Sequence, residues 1–178
     1  MQPVHIPEFV NPFRFSEKHA RLQGEVPISD LPRLSASLAS TDGAIQVDIQ
    51  FGKDEQGIVT MKGQLKTEVI LTCQRCLQAF TYEIIANFVS GVASTEKAAE
   101  AFPDSYDSIV AEENLIAIRS VIEDELILSL PIVPRHLPNQ CEVKMPYQAV
   151  SSENEKQNPF YILKQAGSSK SKKQRKKY

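Results

Sequence analysis

The chain has no tryptophan, only three histidines and only three cysteines in 178 residues. The scarcity of cysteine, and its odd number, exclude a disulfide framework and fit a reducing compartment. Histidines stand only at His5, His19 and His136, so imidazole-based acid–base chemistry has few places to sit. No apolar run approaches the length that crosses a bilayer as a helix. The opening MQPVHIPEFV lacks a basic stretch followed by an apolar one, so the expected location is the cytoplasm, away from membranes. Glycine is sparse, at seven residues, and no G-x-G-x-x-G, P-loop or G-x-S-x-G occurs. Nucleotide-cradling loops and serine nucleophile elbows are therefore missing, and no small-molecule substrate is implied.

Charge is abundant but unevenly placed. The last fifteen residues, KQAGSSKSKKQRKKY, carry Lys164, Lys170, Lys172, Lys173, Arg175, Lys176 and Lys177 and no acid. Setting those seven aside leaves thirteen basic residues against twenty-two acidic ones, so the rest of the chain carries about −9 and the tail +7. A flexible basic arm of this kind is drawn to polyanions, and each phosphate it neutralises releases counterions. Lys170, Lys172, Lys173, Arg175, Lys176 and Lys177 are thus the candidate nucleic-acid-binding residues, against the plainer reading of a solubilising tail. Tyr178 is the one aromatic among them, which argues against base stacking there.

Residues 1–15, with Pro3, Pro7 and Pro12, are expected to form an extended arm. ARLQGEVP (20–27) reads as a short strand. Ser29 and Pro32, with Leu31, Leu34 and Leu38, predict a helix at about 29–39. Ile45, Val47, Ile49 and Phe51 then alternate with polar residues, as do Val59 to Leu71 and Phe80 to Phe88. This predicts three long antiparallel strands. STEKAAEA (94–101) predicts a short helix. Asn114 is expected to cap a main helix carrying Leu115, Ile118, Ile122 and Leu126 on one face, ended by Pro131. Asn158-Pro159-Phe160 opens a last helix that Gly167 closes. Strands followed by helices predict an α+β fold: an antiparallel sheet with helices on one face. One domain is expected over 1–163, and a basic disordered tail over 164–178.

The sharpest motif is CQRC at 73–76, in the turn between the second and third strands. It admits a metal site, a redox couple or a pair of merely buried thiols. Zinc needs four ligands. Cys73 and Cys76 supply two, and His136 and Cys141, spaced H-x4-C in the irregular segment after the main helix, could supply the others. Leu77 stands where zinc knuckles favour glycine. A redox couple would want a helix after the motif, and the period-two flanks offer none. Arg75 at the tip is an exposed solubilising residue or a phosphate contact. Glu123, Asp124 and Glu125 cannot all converge on a metal from adjacent helical positions, and read as a solvated helix face.

CQRC in a hairpin turn, VIEDELILSLPIVPRH (121–136) with a cysteine soon after, and NPF near the C-terminus together resemble the bacterial YceD family. EDELILSLPIVP is the most specific stretch. The resemblance implies a non-enzymatic factor supporting the synthesis, processing or stability of 23S ribosomal RNA in large-subunit biogenesis. The implied partners are that RNA and, given the acidic body, a basic ribosomal protein or assembly factor. A zinc-stabilised protein adaptor without direct RNA contact, and an RNA-processing enzyme, are the competing readings.

Overall fold

The computed structural model describes residues 6–103, 105–137 and 140–141. The chain forms β1 (Phe9–Val10), α1 (Pro12–Glu17), β2 (Arg21–Pro27), a 3-10 turn (Ile28–Asp30), α2 (Pro32–Ser35), β3 (Ala44–Lys53) and β4 (Val59–Thr72). Then come β5 (Ala79–Ala93), α3 (Glu96–Ala99), β6 (Asp107–Val110), β7 (Ile116–Ala117) and α4 (Ile118–Leu128). The fold is α+β.

The main sheet has the order β2-β3-β4-β5-β6, antiparallel except for β6, which lies parallel to β5. Its long strands are those the alternation predicts. Ile45, Val47, Ile49 and Phe51 on β3 and Met61, Leu65, Val69 and Leu71 on β4 all point inward and are buried. Their polar neighbours face water on the other side, as period-two side-chain geometry requires. Ile118, Ile122 and Leu126 of α4 join the same core with no exposed surface. Each such burial contributes about 1.5–3 kcal/mol.

Gly63 solves a packing problem within this sheet. It sits directly opposite Phe88, and a β-carbon at Gly63 would lie 2.1 Å from the Phe88 ring. The ring occupies the space the glycine leaves.

Several local expectations are corrected. The N-terminal arm is not extended throughout: Asn11 accepts a hydrogen bond from the Arg14 N–H at 3.0 Å and Pro12 takes the first helical position, so α1 forms. The helix expected at 29–39 is broken into the 3-10 turn and α2, with Leu31 at the cap position and Ser29 inside the turn. The main helix starts at Ile118, not after Asn114. Asn114 and Glu113 adopt left-handed backbone, φ 63° and 50°, in a turn. Ile116–Ala117 then pairs with Phe9–Val10 as a two-stranded ribbon. Strand β6 and this ribbon carry too few residues to show periodicity.

The described residues all belong to one compact unit. The domain boundary at 163, the helix from Asn158, the tail 164–178 and its cations from Lys170 to Lys177 lie outside the described residues.

Candidate metal centre

The turn between β4 and β5 spans 73–78 and is closed by its own backbone. The Cys73 N–H donates to the Gln78 carbonyl and the Leu77 N–H donates to the Cys73 carbonyl, both at 2.9 Å. Making this turn in so few residues forces Leu77 to φ 62°. That is the left-handed conformation glycine adopts freely, which explains why a knuckle favours glycine there. Leu77 tolerates it with a side chain that stays 77% exposed.

The segment after α4 returns to this turn. The Gln74 N–H donates to the Pro134 carbonyl at 2.9 Å, which docks PIVPRH beside CQRC. His136 then packs against Phe80 of β5, with ring centroids 4.8 Å apart and planes tilted by 41°. The result unites all four sequence-predicted ligands. The ligand atoms of Cys73, Cys76, His136 and Cys141 all lie within 4.8 Å of one another. Cys76 Sγ is 3.3 Å from His136 Nδ1, and Cys73 Sγ is 3.8 Å from Cys141 Sγ.

These separations suit a tetrahedral ion. Zinc–sulfur bonds of about 2.3 Å place two sulfurs of a tetrahedron about 3.8 Å apart. The donor set, three thiols and one imidazole, is that of a structural site with all four positions filled by protein. The electrostatics agree. Burial pushes the Cys73 thiol up, but backbone N–H groups of Cys76, His136 and Arg75 and the His136 side chain outweigh it and bring it down to about 5. The Arg75 N–H lies 3.4 Å from Cys73 Sγ. Cys141 goes the other way, to about 11, through burial and its contacts with Cys76 and Cys73. One thiolate, at Cys73, is thus favoured before any ion arrives, and a cation would be needed to hold Cys141 as another.

No helix begins at CQRC, because β5 follows it. Donors of the hairpin and of His136, not a helix N-terminus, lower the Cys73 thiol. The Arg75 side chain is exposed at the tip, as expected.

One expectation about the acidic run on α4 is wrong. Asp124 is exposed, but Glu123 is buried. Its carboxylate accepts hydrogen bonds from the N–H groups of Arg33 and Leu34 and from Arg33 Nε. It caps α2, whose own cap position holds Leu31 and offers no side-chain oxygen. A Leu-Pro helix start leaves its first N–H groups without a side-chain cap of their own, which is the one sequence hint that an acceptor comes from elsewhere.

The whole cluster falls inside a wider likeness. Residues 61–174 match the family described as "Large ribosomal RNA subunit accumulation protein YceD". The protein of that name from Haemophilus influenzae is 32% identical over 168 residues, covering 92% of this chain and 97% of that one. No solved structure is significantly similar to the chain. With that match, and with CQRC and the post-helix segment brought together as one knuckle, the chain belongs to the YceD family.

Proposed function

We propose that the protein is a non-catalytic cytoplasmic factor that supports accumulation of large-subunit ribosomal RNA, with one zinc ion stapling its knuckle. The family membership and the printed name of the Haemophilus relative support the ribosomal RNA role. The observation that carries the zinc is the Cys73–Cys76–His136–Cys141 cluster, in which four ligand atoms from two distant segments converge. When bound there, zinc supplies a cross-link between the β4–β5 turn and the segment that leaves α4. With four protein ligands it has no open position for substrate, which fits a structural role and not hydrolysis.

The division of charge assigns the remaining parts. The acidic body, at about −9, is repelled by RNA and suits a basic ribosomal protein or assembly factor. The basic tail, at +7, supplies the RNA contact through Lys170, Lys172, Lys173, Arg175, Lys176 and Lys177. Binding of the full chain to 23S ribosomal RNA fragments across a salt series tests this. Replacing Lys172, Lys173 and Lys176 by Gln should lower the slope of log affinity against log salt by about 2–3. An unchanged slope would remove the tail from the RNA interface. Absence of any RNA binding would favour the adaptor reading, in which the body alone acts through protein partners.

A further inference from the structure

Strand β6 pairs with β5 on one side only and ends the sheet. Its outer side leaves backbone donors and acceptors without strand partners among the described residues, the kind of edge that accepts an added strand. Beside that edge runs a groove of about 630 Å³, bounded by β6, the β1–β7 ribbon and α4. Its apolar surface includes Phe9, Val110, Leu115 and Val121. Phe9 is 56% exposed and Leu115 43%, although the fold has buried residues of the same kind a few positions away.

The same groove is acidic. Glu112, Glu113 and Asp124 line it, and among the described residues no Lys, Arg or His does. The cation that approaches is Arg33, which pairs with Asp124 and also with Glu123. Next to Asp124, the Glu125 carboxyl is pushed up by burial and by the negative charges of Asp107 and Asp124. Asp124 is thus paired, but Glu112 and Glu113 have no ion-pair partner among the described residues, and negative charge is left over there. Glu112 and Glu113 are both exposed.

We propose that this groove receives an extended basic segment of another protein, which adds a strand to β6, seats apolar side chains against Phe9, Leu115 and Val121, and sets Lys or Arg against Glu112 and Glu113. The inference rests on the basic-partner reading above and gives it a place. RNA is disfavoured by the carboxylates. A second copy would bring two acidic grooves face to face. An alternating peptide fits because a strand turns one set of side chains to the floor and leaves the other at the rim.

The test uses the full chain and a short fluorescent peptide alternating Lys and Leu, followed by anisotropy. Glu112→Gln with Glu113→Gln should weaken binding about tenfold, and Leu115→Ser by a similar factor. Glu25→Gln with Glu68→Gln, which removes as many charges from the exposed sheet face, should change little. Each variant is first matched to the parent by circular dichroism. Hydrogen exchange at Ser108–Val110 should slow when the peptide binds. Equal losses in both charge pairs, or no loss in Leu115→Ser, would overturn the groove assignment. Purified basic large-subunit ribosomal proteins, run in the same assay, separate the two claims. If they bind the parent and the groove variants alike, the partner reading stands and the groove falls. If the peptide binds the groove and none of those proteins binds the chain, the groove stands and the ribosomal partner falls.

Discussion

Glu123 and Arg33 meet across ninety residues of sequence, with the Glu123 carboxylate 2.6 Å from the Arg33 backbone nitrogen and 2.8 Å from its Nε. A buried carboxylate on α4 thereby caps α2 and ties the two helices together. Glu123→Ala would leave the N–H groups of Arg33 and Leu34 without acceptors in a buried place, and should cost about 1–3 kcal/mol in a urea titration. Arg33→Ala should cost less, about 1 kcal/mol or under, because the guanidinium is half exposed and the N–H bonds survive.

The same carboxylate gives the fold an acid limb. Burial pushes the Glu123 carboxyl up, but the Leu34 N–H, the Arg33 side chain and the Arg33 N–H pull it below its ordinary 4.5. A folded value below the unfolded one contributes stability that is whole above about pH 4.5 and is lost as pH falls through the lower folded value. Melting temperature measured from pH 6 down to pH 3 should therefore fall in the parent, and Glu123→Gln should flatten that fall. A Gln variant with the same acid slope would assign the effect to other carboxylates.

Leu77 holds φ 62° with little of its side chain buried. Leu77→Gly removes left-handed strain of about 1–2 kcal/mol and adds unfolded-state freedom of about 0.4–1 kcal/mol. The net expectation is a chain as stable as the parent or slightly more so. Leu77→Val, β-branched at the same φ, should be clearly less stable. Thermal melts of the two variants should move in opposite directions, or the Gly variant should stay put while the Val variant drops.

Gly63→Ala tests the sheet. The added methyl would meet the Phe88 ring at 2.1 Å, and Phe88 is itself buried, so the ring can move only by disturbing its core neighbours. The expected cost is about 1–3 kcal/mol, read from the denaturant midpoint. Pairing Gly63→Ala with Phe88→Leu should recover part of the loss, because the two share one space.

The parts of the fold legible in the sequence are those with many repeats of one period. The alternation of Ile45 to Phe51, Val59 to Leu71 and Phe80 to Phe88 specifies three strands, and with them the position of CQRC in a hairpin turn. The four-residue α3 is legible because Thr95 caps it, but β6 is not: it has only four residues and pairs parallel, so no hairpin signal announces it. The four candidate ligands are readable by residue type and spacing, but their meeting depends on the Gln74–Pro134 hydrogen bond and the Phe80–His136 ring contact. Both are tertiary contacts that no local pattern encodes. Glu123 was misread for a related reason: three consecutive acids suggest solvent, and only the placement of α2 against α4 reveals which of them turns inward.

The central claim, a zinc ion held by Cys73, Cys76, His136 and Cys141, is tested most directly by counting metal. The full-length chain, purified without chelator or a metal-binding tag, is analysed by inductively coupled plasma mass spectrometry against its own protein concentration. About one zinc per chain is expected, falling toward zero in Cys73→Ser, with a lower melting temperature once the ion is gone. A parent chain that carries no stoichiometric metal after growth and purification with zinc present, and melts the same before and after chelator, would contradict it.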